Sequence, residues 1–430
     1  MTVLRPFRGC RYNPSVVGDL ASVLCPPYDV IGPELQESLK RLSLYNAVHL
    51  EGGEQPDPVD PEAGYRHASA RFRQWLEEGV LQRDQEPYFY LMRHGYVFRG
   101  EYREQLGLFG GVQIEEYDSR IVLPHEYTRE PAVLDRIALM DHCQAQFSPV
   151  MTNYRDAEGA LQPVFKQVMK AVPVLEVKDS PDGDVSLWRI TDLALQEHIS
   201  SFFTQRPVFL ADGHHRYEAA LRYRKEQQRQ GRLSPDSAYN YVMMALVEFD
   251  NPGLLLLPYH RTVEGLSPEQ LSRVREQLDE LFEAQPVDLD SKEGVERLLE
   301  QVAFLGKDGH ALAMVGPEKD EAHLLMLRPS VDWRQWGDLA VSEAWILEEK
   351  VLRPLLGDSL IRHVNYGHDH DLVVEQVNAG QQQLAFLLKP FPLDAFESIV
   401  GGGQRLPSKS TFFYPKLPTG LVINQLEGSL

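Results

Sequence analysis

The stretch that decides the fold is residues 206–224, RPVFLADGHHRYEAALRYR. Residues 207–211 form an apolar run long enough for one buried strand. From Tyr217 onward, apolar and aromatic side chains recur at helical spacing among good helix formers. The sequence therefore predicts a strand, a tight turn at Gly213 and a helix, and the whole chain alternates between strand-like and helix-like segments.

The turn between these two elements, Asp212-Gly213-His214-His215-Arg216, has the composition of an anion-binding site. A strand that passes through a glycine turn into a helix start presents backbone N–H groups that can bind phosphate. Arg216 lies in the first helical turn, where a cation opposes the helix dipole, and a bound anion would offset that cost. The alternative is a capped turn, with Asp212 as the N-cap and two solvated histidines.

The bulk composition limits the classes of function. A chain of 430 residues is long enough for two or three domains. With 43 basic and 63 acidic residues the net charge is −20, which argues against a nucleic-acid or anionic-membrane partner. The sequence lacks a signal-peptide core in residues 1–14 and a run long enough to span a bilayer, so we expect a cytoplasmic protein. The three cysteines suit reduced thiols, because their number is odd and they form no CxxC motif.

Periodicity and turn residues predict the remaining elements. Helices are expected at residues 62–82, 131–146, 192–204, 267–283, 291–301, 341–352, 372–378 and 393–398. Strands are expected within residues 88–117 and at 239–249, 254–258, 311–315, 323–327 and 385–388. Loops are expected at 55–61 and 179–184. We expect a mixed α/β (α+β) fold with an N-terminal part at 1–160, a central part at 161–285 and a C-terminal part at 286–430.

Two motifs in the first third of the chain place polar side chains beside rigid turns. In residues 25–31, CPPYDVI, two prolines fix the backbone and present Tyr28 and Asp29 in a defined direction. Asp29 suits a general base or a magnesium ligand, and a solvated surface turn is the alternative. Residues 123–128, LPHEYT, bring together His125, Glu126 and Thr128, which suits phosphoryl or carboxylate chemistry. The alternative is that Thr128 caps the following helix.

Two motifs near the C-terminus also have polar clusters. Glycines at 401–403 precede Lys409, Ser410 and Thr411, but the spacing excludes a Walker A loop and a strand is expected to follow. The lysine and the two hydroxyls can still reach an anion, and a docked strand is the alternative. Residues 367–370, GHDH, do not follow a zinc pattern, so we expect a polar turn that caps the next helix.

Taken together, the motifs resemble a known family. CPPYDVI, LPHEYT, ADGHHRYEAA, LPYHR at 257–261 and LPSKSTFFYPKLPTGL at 406–421 resemble a large prokaryotic family of unknown function that is often called SerK-like. ADGHHRYEAA is similar to the phosphate loop of the ParB and sulfiredoxin superfamily, where free serine kinases have an Asp-Gly-His-His-Arg turn. The resemblance implies a ParB/sulfiredoxin-like core around this turn, with additional α/β parts on both sides.

The resemblance also implies phosphoryl transfer to free L-serine, with pyrophosphate or a nucleotide as donor and Mg²⁺ as cofactor. The donor phosphates are expected at Gly213, His214, His215 and Arg216, with Lys409, Ser410 and Thr411 contributing. The expected catalytic residues are Asp29, Glu126, Asp212 and His215, the expected acceptor-binding residues are Tyr28, His125 and Thr128, and the expected metal ligands are Asp212 and Asp29. The alternatives are a nucleotide-sensing regulator without turnover and a phosphatase with the same phosphate cradle.

Overall fold

The computed structural model describes residues 1–51, 59–180, 182–289, 292–307, 309–318 and 321–430. The chain divides into two compact units, Met1–Leu254 with Pro415–Leu430, and Leu255–Tyr414. The expected loop at 55–61 lies largely outside the described residues. Residue 181 of the expected loop at 179–184 and residue 291 of the expected helix at 291–301 also lie outside them. The three-part division expected from the sequence stays a prediction.

Strands occur in both units. The first unit contains β1 (Leu4–Arg5), β2 (Gly9–Tyr12), β3 (Leu81–Arg83), β4 (Phe89–Phe98), β5 (Glu101–Gln113), β6 (Val122–Leu123), β7 (Ala145–Gln146), β8 (Val150–Tyr154), β9 (Leu175–Val177), β10 (Asp184–Ile190), β11 (Val208–Asp212) and β12 (Tyr241–Glu248). The second unit contains β13 (Leu255–Leu257), β14 (His260–Val263), β15 (Phe282–Asp288), β16 (Ala311–Val315), β17 (Glu321–Leu327), β18 (Val364–Gly367), β19 (Leu384–Leu387) and β20 (Phe412–Tyr414). The chain then returns to the first unit with β21 (Ile423–Gln425).

Helices also occur in both units. The first unit contains α1 (Pro14–Val17), α2 (Pro33–Leu42), α3 (Val48–Glu51), α4 (Ala63–Glu77), α5 (Glu130–Cys143), α6 (Gln162–Val168), α7 (Leu193–Phe203) and α8 (His214–Arg229). The second unit contains α9 (Pro268–Leu281), α10 (Lys292–Leu305), α11 (Glu343–Ile346), α12 (Arg353–Leu356), α13 (Leu360–His363), α14 (His370–Asn378) and α15 (Leu393–Gly401), and a π-helical turn at Leu347–Leu352 continues α11. None of the helices in these described ranges is both long and apolar enough to cross a membrane.

A mixed nine-stranded sheet organises the first unit. Its order is β6-β11-β8-β12-β5-β4-β10-β9, and β1 pairs with β5. The β11–β6 and β12–β8 pairs are parallel, and the others are antiparallel. All five residues of β11 are buried, as a central strand requires. Helix α8 packs Tyr217, Ala220 and Leu221 into the core that this sheet shares with α5 and α7.

A second, four-stranded sheet in the order β3-β2-β21-β7 ties the last residues of the chain to the first unit. In this sheet Gly9 pairs with Asn424 and Cys10 pairs with Ile423. All three cysteines are buried and free, as expected. The chain termini therefore meet in one sheet, and the second unit is an insertion between β12 and β21.

The second unit has a six-stranded sheet in the order β15-β17-β16-β19-β14-β18 and a separate β13–β20 pair. Strand β16 shows why the helices pack as they do. Leu312 and Met314 join a core with residues of α9, while Ala313 and Val315 join a core with residues of α10 and α14. Because successive side chains of a strand point to opposite faces, one strand serves two helical layers.

The mixed α/β fold class expected from the sequence is confirmed. The helix expected at 62–82 ends at Glu77, since Gly79 has a positive φ of 71° and β3 follows. The helix expected at 267–283 ends at Leu281, and β15 then forms an edge strand. Strand β15 was missed because five of its seven side chains are exposed and it contains Pro286, which an edge strand tolerates. The helix-capping turn at 367–370 is confirmed, since the Asp369 carboxylate accepts from the N–H groups of Asp371 and Leu372.

Candidate functional site

The site is built on the turn between β11 and α8. Gly213 has a φ of 90°, a conformation that an L side chain rarely adopts, and its carbonyl accepts the helical hydrogen bond from the Tyr217 N–H at 3.0 Å. A Cβ at this position would lie 2.9 Å from the Arg216 Nε. The strand, glycine turn and helix start expected from the sequence are therefore present. The glycine is needed both for its backbone angle and for the close approach of Arg216.

A β-bulge in β11 positions the acidic residue of the turn. Leu210 pairs with Thr152, but the next pair is Asp212 with Met151, so Ala211 is the additional residue. A bulge bends its strand and redirects the side chains that follow it. The redirected Asp212 does not cap α8, because Gly213 occupies the N-cap position and no side-chain cap bond forms. The simple capped turn considered as the alternative is therefore wrong.

The Asp212 carboxylate binds two cations. It accepts from the Arg216 Nη2 at 2.6 Å and also from the Lys416 Nζ. Burial raises the pKa of Asp212, but the charges of Lys416 and Arg216 outweigh burial and hold this pKa well below its usual range. Asp212 is consequently ionised, and the charge of Arg216, which opposes the helix dipole, is already balanced within the protein. Its expected roles as catalytic residue and metal ligand stay predictions.

The Arg216 guanidinium is anchored inside the first unit. Its Nη1 donates to the carbonyl of Pro149, directly before β8. Its Nε is buried and finds no hydrogen-bond partner among the described residues. Arg216 also lines a small cavity of about 40 Å³ together with Glu51, Arg136 and Ser148. The turn therefore borders a recess with charged walls.

Both histidines of the turn are held by backbone N–H donors. The His214 Nε2 accepts from the His125 N–H at 3.2 Å, and the His215 Nε2 accepts from the Arg129 N–H at 3.1 Å. A neutral imidazole that accepts at Nε2 carries its proton on Nδ1. The two rings are thereby fixed as Nδ1–H donors at the start of α8. His214 is buried and not solvated, contrary to the capped-turn alternative.

The LPHEYT motif contacts this turn directly. The His125 and His214 rings lie edge to face with centroids 4.4 Å apart. The His125 Nδ1–H donates to the Leu210 carbonyl at 2.6 Å, and its Nε2 lies 4.0 Å from the Glu126 Oε1. Burial lowers the pKa of His125, so the ring is neutral near pH 7. The structure thus brings the neighbouring residues His125 and Glu126 together with His214, which follows His125 by 89 residues.

These three residues can hold a divalent cation. One ligand atom from each lies within 4.8 Å of the others. The bond from His125 Nδ1 to a carbonyl is the type that orients a metal-binding histidine. For His214 to bind a metal through Nε2, it has to release the His125 N–H. Two imidazoles and one carboxylate suit Mn²⁺ or Zn²⁺ better than Mg²⁺, which prefers oxygen ligands.

Three further predicted residues of the first unit are Tyr28, Asp29 and Thr128. The Tyr28 ring centroid lies 4.0 Å from the Arg136 guanidinium carbon, and burial raises the pKa of Tyr28 to about 12. Asp29 is exposed in a short 3₁₀ turn. Thr128 precedes α5, and Arg129, the N-cap, makes no side-chain cap bond, so Thr128 does not cap this helix. The expected roles of Tyr28, Asp29 and Thr128 stay predictions.

The C-terminal cluster belongs to the second unit. Lys409 has a φ of 59°, and its Nζ lies 3.4 Å from the Tyr259 hydroxyl. The Ser410 hydroxyl donates to the Pro407 carbonyl, and Thr411 is buried just before β20. The strand that follows confirms why this segment is not a P-loop. Phosphate binding by Lys409, Ser410 and Thr411 stays a prediction.

Sequence reasoning missed three polar residues of the site: Lys416, Glu51 and Ser148. Lys416 belongs to the C-terminal motif at 406–421. Its position after a strand does not predict that it pairs with Asp212, which lies 204 residues earlier. Glu51 binds Arg136 at 2.7 Å and accepts from the Ser148 hydroxyl, and it is only 3% exposed. An available signal was an acidic residue directly after the segment 47–50, AVHL, in which three of four residues are apolar.

Comparisons with known structures give weak likenesses. A conserved hypothetical protein from Pyrococcus furiosus is 12% identical, with 75% of this chain and 97% of that chain covered and a TM-score of 0.34. A free serine kinase in complex with AMP is 14% identical, with 73% and 92% covered and a TM-score of 0.32. SbnI from Staphylococcus aureus, with a C-terminal truncation, is 11% identical, with 72% and 85% covered and a TM-score of 0.36. Scores this low give no basis for assigning an activity.

No curated protein matches the sequence significantly. A family model described as "Protein of unknown function (DUF1015)" matches residues 4–345. This match covers most of the chain, and it includes the 123–128 motif, the 211–220 turn and the 257–261 motif on which the resemblance was based. The chain belongs to the DUF1015 family.

Proposed function

We propose that this protein is a phosphotransferase that binds a phosphate donor at the Asp212–Arg216 turn and phosphorylates a small acceptor with a hydroxyl group. Free L-serine is the first candidate acceptor, because the Asp-Gly-His-His-Arg turn of this chain resembles that of free serine kinases. Pyrophosphate or a nucleotide is the candidate donor. The proposal rests on the chemistry of the turn and on the resemblance of the motifs.

The observation that carries the proposal is the excess positive charge at a helix start. Asp212 contributes one negative charge, and Arg216 and Lys416 contribute two positive charges, so the trio has a net charge of +1. The N-terminus of α8 adds backbone N–H groups and the positive end of a helix dipole. His214 and His215 stand in the first turn of the same helix. Together these groups suit the oxygens of a phosphate.

On the acceptor side, Glu126 is our candidate general base. In the proposed step the acceptor hydroxyl oxygen attacks the terminal phosphorus of the donor. The bond to the donor's bridging oxygen breaks, and the hydroxyl proton passes to Glu126. His125 lies beside Glu126 and is held in one tautomer by the Leu210 carbonyl, which makes it a positioning residue. Phosphoryl transfer depends mainly on such positioning and on charge neutralisation.

A divalent cation would supply part of that neutralisation. We place it at His125, Glu126 and His214, where one donor atom from each lies within 4.8 Å of the others. Asp212, an expected ligand, is already bound by Arg216 and Lys416, which compete with a metal ion for its oxygens. Asp29 remains a candidate ligand from the sequence.

The test is a product assay with purified protein. Serine is incubated with ATP, ADP or pyrophosphate, each with Mg²⁺ or Mn²⁺, and phosphorus NMR detects O-phosphoserine. Glu126→Gln is expected to lower turnover by about 100-fold or more, because it removes both the base and one ligand of the cation. Glu158→Gln, which changes an exposed carboxylate of the same unit, is the matched control.

The outcomes separate the alternatives. O-phosphoserine that forms with the wild-type protein and is lost in Glu126→Gln supports the proposal. Release of free phosphate alone identifies a phosphatase instead. Nucleotide binding without any product identifies a regulator without turnover.

A further inference from the structure

A separate groove in the first unit is strongly basic. It lies where β2, the end of β3 and β10 meet, and it has a volume of about 680 Å³. Its charged lining residues among those described are Arg11, Arg83, Asp84 and Arg189, and Tyr88 also lines it. Three cations and one anion leave a net charge of +2. This local charge stands out in a chain whose net charge is −20.

One carboxylate holds two of the three arginines in place. Asp84 accepts from the Arg11 Nη2 at 2.6 Å, from the Arg11 Nε at 3.2 Å and from the Arg189 Nη1 at 3.1 Å. The Tyr90 hydroxyl donates to the same carboxylate at 2.8 Å. Because four donors form hydrogen bonds to Asp84, its negative charge is stabilised entirely by groups of the protein. The two guanidinium groups are therefore held rigidly while one positive charge between them remains unbalanced.

Arg189 and Arg83 supply the positive charge that the groove offers to a ligand. Arg189 lines the groove and keeps 35% of its side chain exposed. The Arg189 guanidinium also lies 5.3 Å from the Tyr88 ring centroid, which fixes its plane further. Arg83 is exposed at the end of an edge strand. Arginines held in this way suit bidentate contacts to phosphate or carboxylate groups.

We propose that this groove binds a small multivalent anion, a molecule with two or more phosphate or carboxylate groups. The size of the groove falls in the range of small-molecule sites. The groove shares none of its described lining residues with the Asp212–Arg216 turn, so the proposal does not depend on the proposed phosphotransferase activity. A site of this kind lets the protein respond to an anion that is not consumed at the turn.

The test uses the full chain and two probes, sodium tripolyphosphate and citrate, at 0.15 M NaCl. Calorimetry measures the affinity of wild-type protein, Arg83→Glu and Arg83→Glu/Arg189→Gln. Arg232→Glu is the matched control, because it reverses an exposed arginine of the same unit outside the groove. Hydrogen exchange of peptides covering 81–90, 184–190 and 208–217 locates each bound probe. Thermal unfolding verifies that every variant is folded.

We expect at least one probe to protect residues 81–90 and 184–190. We also expect its affinity to fall at least tenfold in the double variant and to stay unchanged in Arg232→Glu. Tighter binding of tripolyphosphate identifies a phosphate ligand, and tighter binding of citrate identifies a carboxylate ligand. The proposal is overturned if neither probe binds, if protection is confined to 208–217, or if the folded double variant binds as tightly as wild type.

Discussion

At the residue scale, the central feature is one buried carboxylate between two cations. Asp212 alone would be costly to bury, and Arg216 alone would oppose the dipole of α8. Their ion pair at 2.6 Å resolves both problems, and Lys416 then provides the excess positive charge. Lys416 is thus the residue whose removal most directly tests the charge balance of the turn.

Lys416→Met is expected to destabilise the protein by about 2 kcal/mol at pH 7, since a hydrogen bond to a charged group is lost. The same variant is expected to weaken binding of the phosphate donor, because the trio loses its net positive charge. Urea unfolding measures the first effect, and calorimetry with pyrophosphate measures the second. Unchanged values of both in a folded variant would show that Lys416 is not part of the site.

The pH dependence of that destabilisation has a definite sign. The pKa of Asp212 is lowered in the folded state, so its ionised form stabilises the protein above the unfolded pKa of about 3.9. This contribution is lost as the pH falls from about 4 toward the folded pKa. The stability difference between wild type and Lys416→Met is therefore expected to narrow below pH 4. Urea unfolding at pH 7, 5 and 3.5 checks this, and a difference that grows in acid would contradict it.

Gly213→Ala tests the close approach at the turn against backbone strain alone. The control is Gly231→Ala, since Gly231 also has a positive φ, of 68°, but an added Cβ there meets nothing within 4 Å. We expect the control to cost about 1 kcal/mol of backbone strain. Gly213→Ala is expected to cost about 3 kcal/mol, because it also displaces Arg216 from Asp212. Equal losses of unfolding free energy would show that the Arg216 contact does not matter.

At the element scale, α5 is fixed by a buried charge network. Arg136 binds Glu51 of α3 at 2.7 Å and Asp135 at 2.6 Å, and it stacks on Tyr28. The same helix follows the LPHEYT motif, whose His125 contacts the turn before α8. Helix α5 therefore connects the N-terminal CPPYDVI motif to the site. Its Arg136 contacts Tyr28 of that motif, and the segment before it contains His125, which contacts His214.

Arg136→Gln is expected to cost about 3–5 kcal/mol, because it leaves the buried Glu51 without its cation. Adding Glu51→Gln should recover part of this loss, since no unpaired charge then remains. Urea unfolding of the two single variants and the double variant measures the coupling.

The control for this cycle is Arg222→Gln on α8, whose ion pairs with Glu130 and Glu218 are partly exposed. We expect this change to cost only about 0.2–1 kcal/mol. Additive effects of Arg136→Gln and Glu51→Gln would contradict the proposed network.

At the scale of the whole molecule, the second unit enters and leaves through neighbouring strands. Leu255 of β13 pairs with Tyr414 of β20, so the two ends of this unit lie side by side. The first unit closes separately, when β21 pairs with β2 and β7. Each unit also has core residues of its own.

We expect the first unit to fold when residues 255–414 are replaced by a short Gly-Ser linker, because the pairing of Leu255 with Tyr414 shows that a short linker spans the gap. Circular dichroism and a cooperative urea transition measure folding. A fragment 1–254 without residues 415–430 is the control, and it should be less stable because β21 and Lys416 are missing. Equal stability of the two proteins would contradict the role given to the C-terminal segment.

The sequence determined the local parts of this picture. The strand Val208–Asp212, the glycine turn and the helix from His214 follow from an apolar run, a glycine and helical periodicity, all of which are short-range signals. The cap at Asp369 follows from the same kind of signal. The residues that meet at the turn were partly predicted as well, since His125 and Glu126 stand in a conspicuous polar motif.

Only the tertiary structure decided which charges are paired. Asp212 is a residue type that is common at the N-cap of a helix. A bulge in β11 instead directs its carboxylate to Arg216 and to Lys416, which follows 204 residues later. Glu51 pairs with Arg136, which follows it by 85 residues, and Asp84 pairs with Arg189, which follows it by 105 residues. Propensity and periodicity depend on neighbours within a few residues, whereas the pairing of buried charges depends on which strands and helices pack together. The position of the turn was therefore predictable from the sequence. Which charged side chains form ion pairs there depended on the packing of the strands and helices around it.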